Sequence, residues 1–317
     1  MDEQKIKTAI RISTFNLLAP CTIDSVQCEN RDHLNWLHRW PLLQEELERL
    51  TNSQDILVLQ EVDTQIELSG LYQFLVSRNY VYIRAFMSGP RQHGVAIAFP
   101  AQKYEAQEIG YERLGLCVRT PLNSNRDIKA PRLFPACKTD YKAFSEAKFR
   151  NYLMPWARVR DRETGLQFGV FGEHMPCAHQ RPKVMAVRLE ALMRRAYELC
   201  SGFSFFVAGD FNFTPGSSLH QFATTGLCPF DVRPSPGFGK PAKHLCRLDD
   251  PLASLLPPDS VTNRTPTFQG KIDYVFTSTD SKIKLVDFKL QSPARPIPNE
   301  ESGSDHVPLT CVFELSN

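Results

Sequence analysis

One stretch, Phe205 to Ser217 (FFVAGDFNFTPGS), constrains this chain more than any other. The apolar run that leads into it, Phe203 to Ala208, has the length and aromatic character of a buried strand. The run ends in Gly209-Asp210-Phe211-Asn212, and Pro215-Gly216 then breaks the chain. Along an extended backbone, residues two apart point the same way. Asp210 and Asn212 are therefore expected to face one cleft together, with Phe211 turned into packing. A carboxylate can take a proton or hold a hard cation, and an amide can donate to a phosphate oxygen. Taken alone, the same residues also describe a capped strand end followed by a turn.

Other strand ends decide between these readings. Ala9 to Leu18 alternates like a first strand and carries Asn16 near its end. Leu34 to Thr51 reads as a helix with Leu43, Leu47 and Leu50 as its stripe, and Pro41 fits best in its first turn. Ile56 to Leu59 is a short strand that runs into Gln60-Glu61-Val62-Asp63. Ile66 to Arg78 reads as a helix, and Tyr80 to Ala85 and Val95 to Phe99 as strands. Tyr152 to Val159, edged at Pro155, and Leu166 to Phe171 are strands, the second delivering Glu173-His174. Pro182 to Leu199 has helical periodicity, with Met185, Leu189 and Leu192 in its core face. Ser218 to Thr224 is a short helix. Lys271 to Thr277 is a strand holding Asp273, Ile283 to Leu290 is another, and Ser304-Asp305-His306 precedes a closing strand, Val307 to Leu315.

Strands and helices thus alternate, which predicts an α/β fold. No boundary splits the chain into two cores, so one domain over 1–317 is expected, with long loops at about 120–146 and 226–266. A net charge of +2 excludes a protein that wraps duplex DNA through its overall charge. No apolar run is long enough to span a bilayer, and the first residues lack a signal-peptide core. The nine cysteines are scattered without a C-x-x-C pair, which argues against zinc and for free thiols in an intracellular, cytoplasmic or nuclear setting.

Asn16, Glu61, His174, Asp210, Asn212, Asp273, Asp305 and His306 form an oxygen-rich set with two histidines. Carboxylates and amides suit Mg²⁺ or Mn²⁺. Histidines supply proton transfer or stabilise charge in the transition state. Such a set points to phosphoester hydrolysis. His33, His38, His93, His220 and His244 read as surface or structural.

The same residues carry a resemblance. In order, TFNLLA with Asn16, LVLQEVD with Glu61, His174, GDFN at 209–212, IDYVF at 272–276 and SDH at 304–306 resemble the endonuclease/exonuclease/phosphatase superfamily. The resemblance runs from Ile12 to Phe313. It implies a DNase I-like four-layer sandwich, two packed mixed β-sheets flanked by helices, with the site at one edge. It also implies roles. Glu61 would be a principal Mg²⁺ ligand, with Asn16 beside it and Asp305 supporting the metal. Asp210 would orient or deprotonate water and Asn212 would fix the phosphate. His306, held by Asp273, and His174 would contact phosphoryl oxygens, and Asn151 would lie on the phosphate side.

FNLLA, LNWLHRW and FQGKIDYVF are similar to the group containing Ccr4-type deadenylases, Angel proteins and nocturnin. In the deadenylases a phenylalanine five residues before the IDY aspartate stacks on adenine, and Phe268 stands there. Two departures count. The family's N-T-H is here Gly172-Glu173-His174, and the base-sandwiching proline is here His179. The expected activity is a Mg²⁺-dependent 3′-exoribonuclease of poly(A) deadenylase type releasing 5′-nucleotides from RNA, acting as a monomer. The alternative is a phosphatase or 2′,3′-cyclic phosphodiesterase on a nucleotide or RNA end. A DNA-repair nuclease, a phosphoinositide phosphatase and an inactive binding module rank lower.

Overall fold

The computed structural model describes residues 6–86, 93–117, 143, 145–147, 153–228, 246–280 and 282–317. Asn151, most of the 120–146 loop and residues 229–245 lie outside this set.

The strands are β1 (Lys7–Asn16), β2 (Ile56–Asp63), β3 (Tyr80–Phe86), β4 (His93–Pro100), β5 (Tyr104–Arg113), β6 (Leu153–Asp161) and β7 (Gln167–His174). They continue with β8 (Ser204–Asp210), β9 (Leu248–Asp249), β10 (Asn263–Arg264), β11 (Gln269–Gly270), β12 (Asp273–Ser278), β13 (Ile283–Leu290) and β14 (Leu309–Ser316). The helices are α1 (Trp36–Asn52), α2 (Thr64–Leu68), α3 (Leu71–Ser77), α4 (Leu114–Cys117), α5 (Pro182–Leu199) and α6 (Ser218–Thr225).

Two six-stranded sheets form, ordered β13-β14-β1-β2-β4-β3 and β5-β6-β7-β8-β12-β9. Each has one parallel pair at its centre, β1 with β2 and β7 with β8, flanked by antiparallel partners. A parallel neighbour needs a long crossover, and a helix supplies it: α1 in the first sheet, α5 in the second. The inner faces meet through Ile12, Val58 and Ile97 on one side and Phe168, Val170 and Phe206 on the other. Leu43, Leu47 and Leu50 of α1 cover the outer face of the first sheet, against Phe15, Leu57 and Leu59. Met185, Leu189 and Leu192 of α5 cover the second, against Phe171, Phe205 and Val207. These four layers are the sandwich expected from the resemblance.

Phe211 shows how the layers hold the site. Its ring is fully buried, edge-on to Phe276 at 4.9 Å and to Tyr274 at 5.8 Å. Truncation to alanine there would cost roughly 3–5 kcal/mol and loosen the turn beyond Asp210.

Some local expectations need correcting. Helix α1 starts at Trp36, capped by the Asn35 side chain on the Leu37 N–H, so Pro41 lies inside the helix and not in its first turn. The expected helix over 66–78 is two helices, broken where Gly70 takes φ 107°. Strand β5 leaves no strand signature in the sequence, because it is an exposed edge strand with little apolar patterning.

Candidate active site

Strand direction explains why the polar residues converge. Parallel strands end together, and their antiparallel partners begin where they end. Thus Asn16, Glu61, His174 and Asp210 end or nearly end β1, β2, β7 and β8, while Asp273 opens β12 and His306 precedes β14 at the same edge. Register aligns one row: His174 pairs with Asp210, and Asp210 with Asp273. Gly209 makes the close approach possible, since a Cβ there would lie 1.9 Å from the Glu173 carbonyl oxygen.

Backbone irregularities aim two of the groups. Glu61 sits at a bulge between β2 and β4 with φ 56°, which turns its carboxylate out of simple alternation. Asn212 has φ 52°, so the extended geometry expected for Asp210 and Asn212 stops at Phe211. The Asn212 N–H instead donates to Asp210 Oδ1 at 2.9 Å, and its Nδ2 donates to the Met175 carbonyl at 2.8 Å. The two residues still meet, through a turn.

Asn16 joins the two sheets. Its Nδ2 donates to Glu61 Oε1 at 3.2 Å and to Asp210 Oδ2 at 3.1 Å. Glu61 Oε2 accepts from the Ala19 N–H and the Thr22 hydroxyl, both at 2.9 Å. Burial would raise the Glu61 pKa, but His174, His93, the Ala19 amide and Asn16 carry it down to about 2. Asp210 goes the other way. Burial raises it and Asp273 adds to that, against the pull of His306, leaving it at about 8.

Both histidines look at Asp210. His174 Nε2 and His306 Nε2 each lie 3.7 Å from Asp210 Oδ2. His174 is also 3.9 Å from Glu61, and burial brings its pKa down to about 4, an uncharged imidazole at neutral pH. His306 is opposite. Burial would lower it, but Asp273 and Asp305 outweigh that and raise it to about 10. Its Nδ1 is 2.8 Å from Asp273 Oδ2, the orienting pair the resemblance implies.

The residues fit a hard cation. Asp305 Oδ1 and Asp273 Oδ1 are buried without a hydrogen-bond partner, and Asp305 feels the charge of Glu61. Asn16, Glu61 and Asp305 offer only oxygen and amide donors, a set for Mg²⁺ or Mn²⁺. Asp210, Asp273 and His306 also crowd together, with ligand atoms within 4.8 Å of one another. A protonated His306 has no lone pair for a metal, so that trio suits proton and phosphate handling instead.

Phe268 is part-exposed in the hairpin of β10 and β11, which the Asn263 side chain ties to Asp305 Oδ2 at 3.3 Å. His179 lies exposed in the turn before α5. Glu173 is fully buried and paired with Arg188 Nη2 at 2.7 Å, so the altered Gly172-Glu173-His174 segment is anchored to α5.

Two further residues lie beside the site. His93, one of the histidines that read as surface or structural, is buried, with its ring 5.7 Å from that of His174. It shares an alternating face with Val95, Ile97 and Phe99, the inter-sheet face, and that periodicity was the available signal. Arg39 occupies the turn of α1 just before Leu43 on the buried stripe, a charged residue where the helix faces the core.

A four-layer sandwich with an acid–histidine edge of this kind defines a class. The chain belongs to the Endonuclease/Exonuclease/phosphatase family, which it matches over residues 13–306. Within that family it is similar to Ccr4-type and Angel proteins. Protein angel of Drosophila melanogaster is 25% identical over 300 residues, 90% of this chain and 73% of that protein. The probable CCR4-Not complex 3′-5′-exoribonuclease subunit Ccr4 of Vairimorpha ceranae is 31% identical over 122 residues, 35% of this chain. The chain spans only 24% of that relative's length. The crystal structure of ANGEL2, a 2′,3′-cyclic phosphatase, in complex with adenosine-2′,3′-vanadate has a TM-score of 0.74 at 19% identity, covering 98% of this chain and 97% of that one. That likeness is one of fold. No described helix is long and apolar enough to cross a membrane.

Proposed function

We propose that the chain is a Mg²⁺-dependent phosphodiesterase, working as one catalytic unit on RNA 3′ ends in the cytoplasm and releasing 5′-nucleotides. One observation carries this reading: the buried, proton-accepting Asp210 stands 3.7 Å from both His174 and His306. Glu61, Asn16 and Asp305 would hold the ion, with Mn²⁺ as a substitute. When bound, such an ion polarises a phosphoryl oxygen and lowers the pKa of water. Asp210 takes the proton of the attacking water as its oxygen bonds to phosphorus. Its raised pKa makes it a competent base near neutral pH. The P–O bond to the upstream 3′-oxygen breaks, and that oxygen leaves with a solvent proton. His306, kept cationic by Asp273, and neutral His174 donate to the phosphoryl oxygens as charge builds. The free N–H of the Asn212 amide fixes the phosphate.

A second reading is a 2′,3′-cyclic phosphatase. It is favoured by the likeness to ANGEL2 and by His179 replacing the base-sandwiching proline. Purified protein with Mg²⁺, given labelled oligo(A) and an RNA ending in a 2′,3′-cyclic phosphate, separates the two. Stepwise loss of AMP from oligo(A) supports the first. Ring opening with no shortening overturns it in favour of the second. No turnover on either by wild type, with Asp210→Asn identical, sinks both.

A further inference from the structure

The structure assigns Arg39 the role of a positioning residue for the metal pocket: its guanidinium ties the turn that carries Asn16 to the turn that carries Asp305. The inference rests on the metal reading of Glu61, Asn16 and Asp305 given above.

Arg39 is fully buried. Its Nε donates to the Gly303 carbonyl at 2.7 Å, and its Nη2 donates to the Leu17 carbonyl at 2.7 Å and to that of Leu18. These carbonyls belong to segments more than 280 positions apart in the chain. Both segments lead straight to the site. Within the first, the Leu18 N–H donates to Asn16 Oδ1 at 3.0 Å and the Ala19 N–H to Glu61 Oε2 at 2.9 Å. Leu18 itself holds φ 56°, a left-handed backbone that a leucine adopts only when its surroundings impose it. Arg39 grips the carbonyls on either side of that residue's Cα. In the second segment, the Ser304 hydroxyl donates to the Asn16 carbonyl at 2.6 Å and accepts from the His306 N–H at 3.2 Å. Gly303 permits the contact, because a Cβ there would lie 2.5 Å from the Arg39 carbonyl oxygen.

The charge fits the position. Burial lowers the Arg39 pKa to about 10 against the opposing pull of Asp305, Glu61 and Asp63, so it stays a cation at neutral pH among the acids it helps to gather. A lysine could not replace it, since one ammonium nitrogen cannot donate at once to carbonyls on both sides of a planar fork.

The test compares wild type, Arg39→Lys, Gly303→Ala and Glu61→Gln as full chains. Mn²⁺ affinity is titrated calorimetrically, and thermal melts of the metal-free proteins report folding. Loss of an outer support typically weakens metal binding about 10- to 100-fold. That loss is expected in Arg39→Lys and Gly303→Ala while their melts stay cooperative, with Glu61→Gln weaker still. If either folded variant binds Mn²⁺ like wild type while Glu61→Gln does not, the role of Arg39 is overturned and the metal reading stands. If Glu61→Gln also binds like wild type, the metal reading falls and takes this inference with it. If neither Arg39→Lys nor Gly303→Ala folds, Arg39 serves stability alone and the inference is overturned.

Discussion

The segments β1-α1-β2 and β7-α5-β8 are built alike. Each is a parallel pair closed by a helix on the outer face, and each delivers a carboxylate to the same edge. The two carboxylates end in opposite states. Glu61 is surrounded by three donors, the Ala19 amide, the Thr22 hydroxyl and the Asn16 amide, and lies in the field of His174 and His93. Asp210 has the Asn212 N–H and the second N–H of the Asn16 amide, but lies deeper and opposite Asp273. The first stays ionised, the state that the proposed metal-holding role needs. The second is held near the point where it can take a proton. Topology brings the acids together, and the count of donors around each divides the labour between them.

The largest expected effect comes from breaking the second half. Asp210→Asn keeps the shape but removes the proposed base, so on the proposed function kcat should fall by about 10²–10⁴-fold with RNA binding retained. The same change should leave metal-free stability at pH 8 equal or higher. A carboxylate raised from its ordinary 3.8 to about 8 makes the folded state lose stability as pH climbs between those values. An active Asp210→Asn enzyme would remove the comparison altogether.

Next comes Glu61→Gln, which should demand far more metal. The midpoint of Mg²⁺ activation should move by roughly 10- to 100-fold at least, the loss seen when even an outer partner of a metal site is removed. Activity unchanged at low Mg²⁺ would assign the ion to another position.

Phe268→Ala should raise KM for oligo(A) with little change in kcat, because a stacked base contributes about 1–3 kcal/mol to binding and little to chemistry. An unchanged KM would leave the exposed ring of the β10–β11 hairpin outside the substrate path.

The smallest effects sharpen the contrast by pH, read as urea midpoints of the metal-free protein. The lowered pKa of Glu61 supplies stability above its ordinary 4.5, lost as pH falls toward about 2. The raised pKa of His306 supplies stability fully present below 6.5, lost as pH rises toward about 10. Glu61→Gln should therefore flatten the acid limb and Asp273→Asn the alkaline limb. If Asp273→Asn flattened the acid limb instead, the assignment of charge to the His306 pair would be wrong.

Much was legible in the residues alone, and the reason is periodicity. The apolar runs leading to Glu61, His174 and Asp210 mark buried central strands, which are apolar on both faces and so stand out, while the strand ending at Asn16 shows by its alternation. Their polar ends, with IDY and SDH, mark the residues that the fold brings to one edge. Three-dimensional packing alone decided the rest. Edge strand β5 faces solvent and leaves no apolar signature. The left-handed turns at Glu61 and Asn212 re-aim side chains that strand alternation would place elsewhere. His93 and Arg39 became site neighbours only when β4 and α1 docked. Above all, the opposite protonation of two like carboxylates follows from depth and from the donors brought by distant segments, and a sequence cannot display either until the sheets close over them.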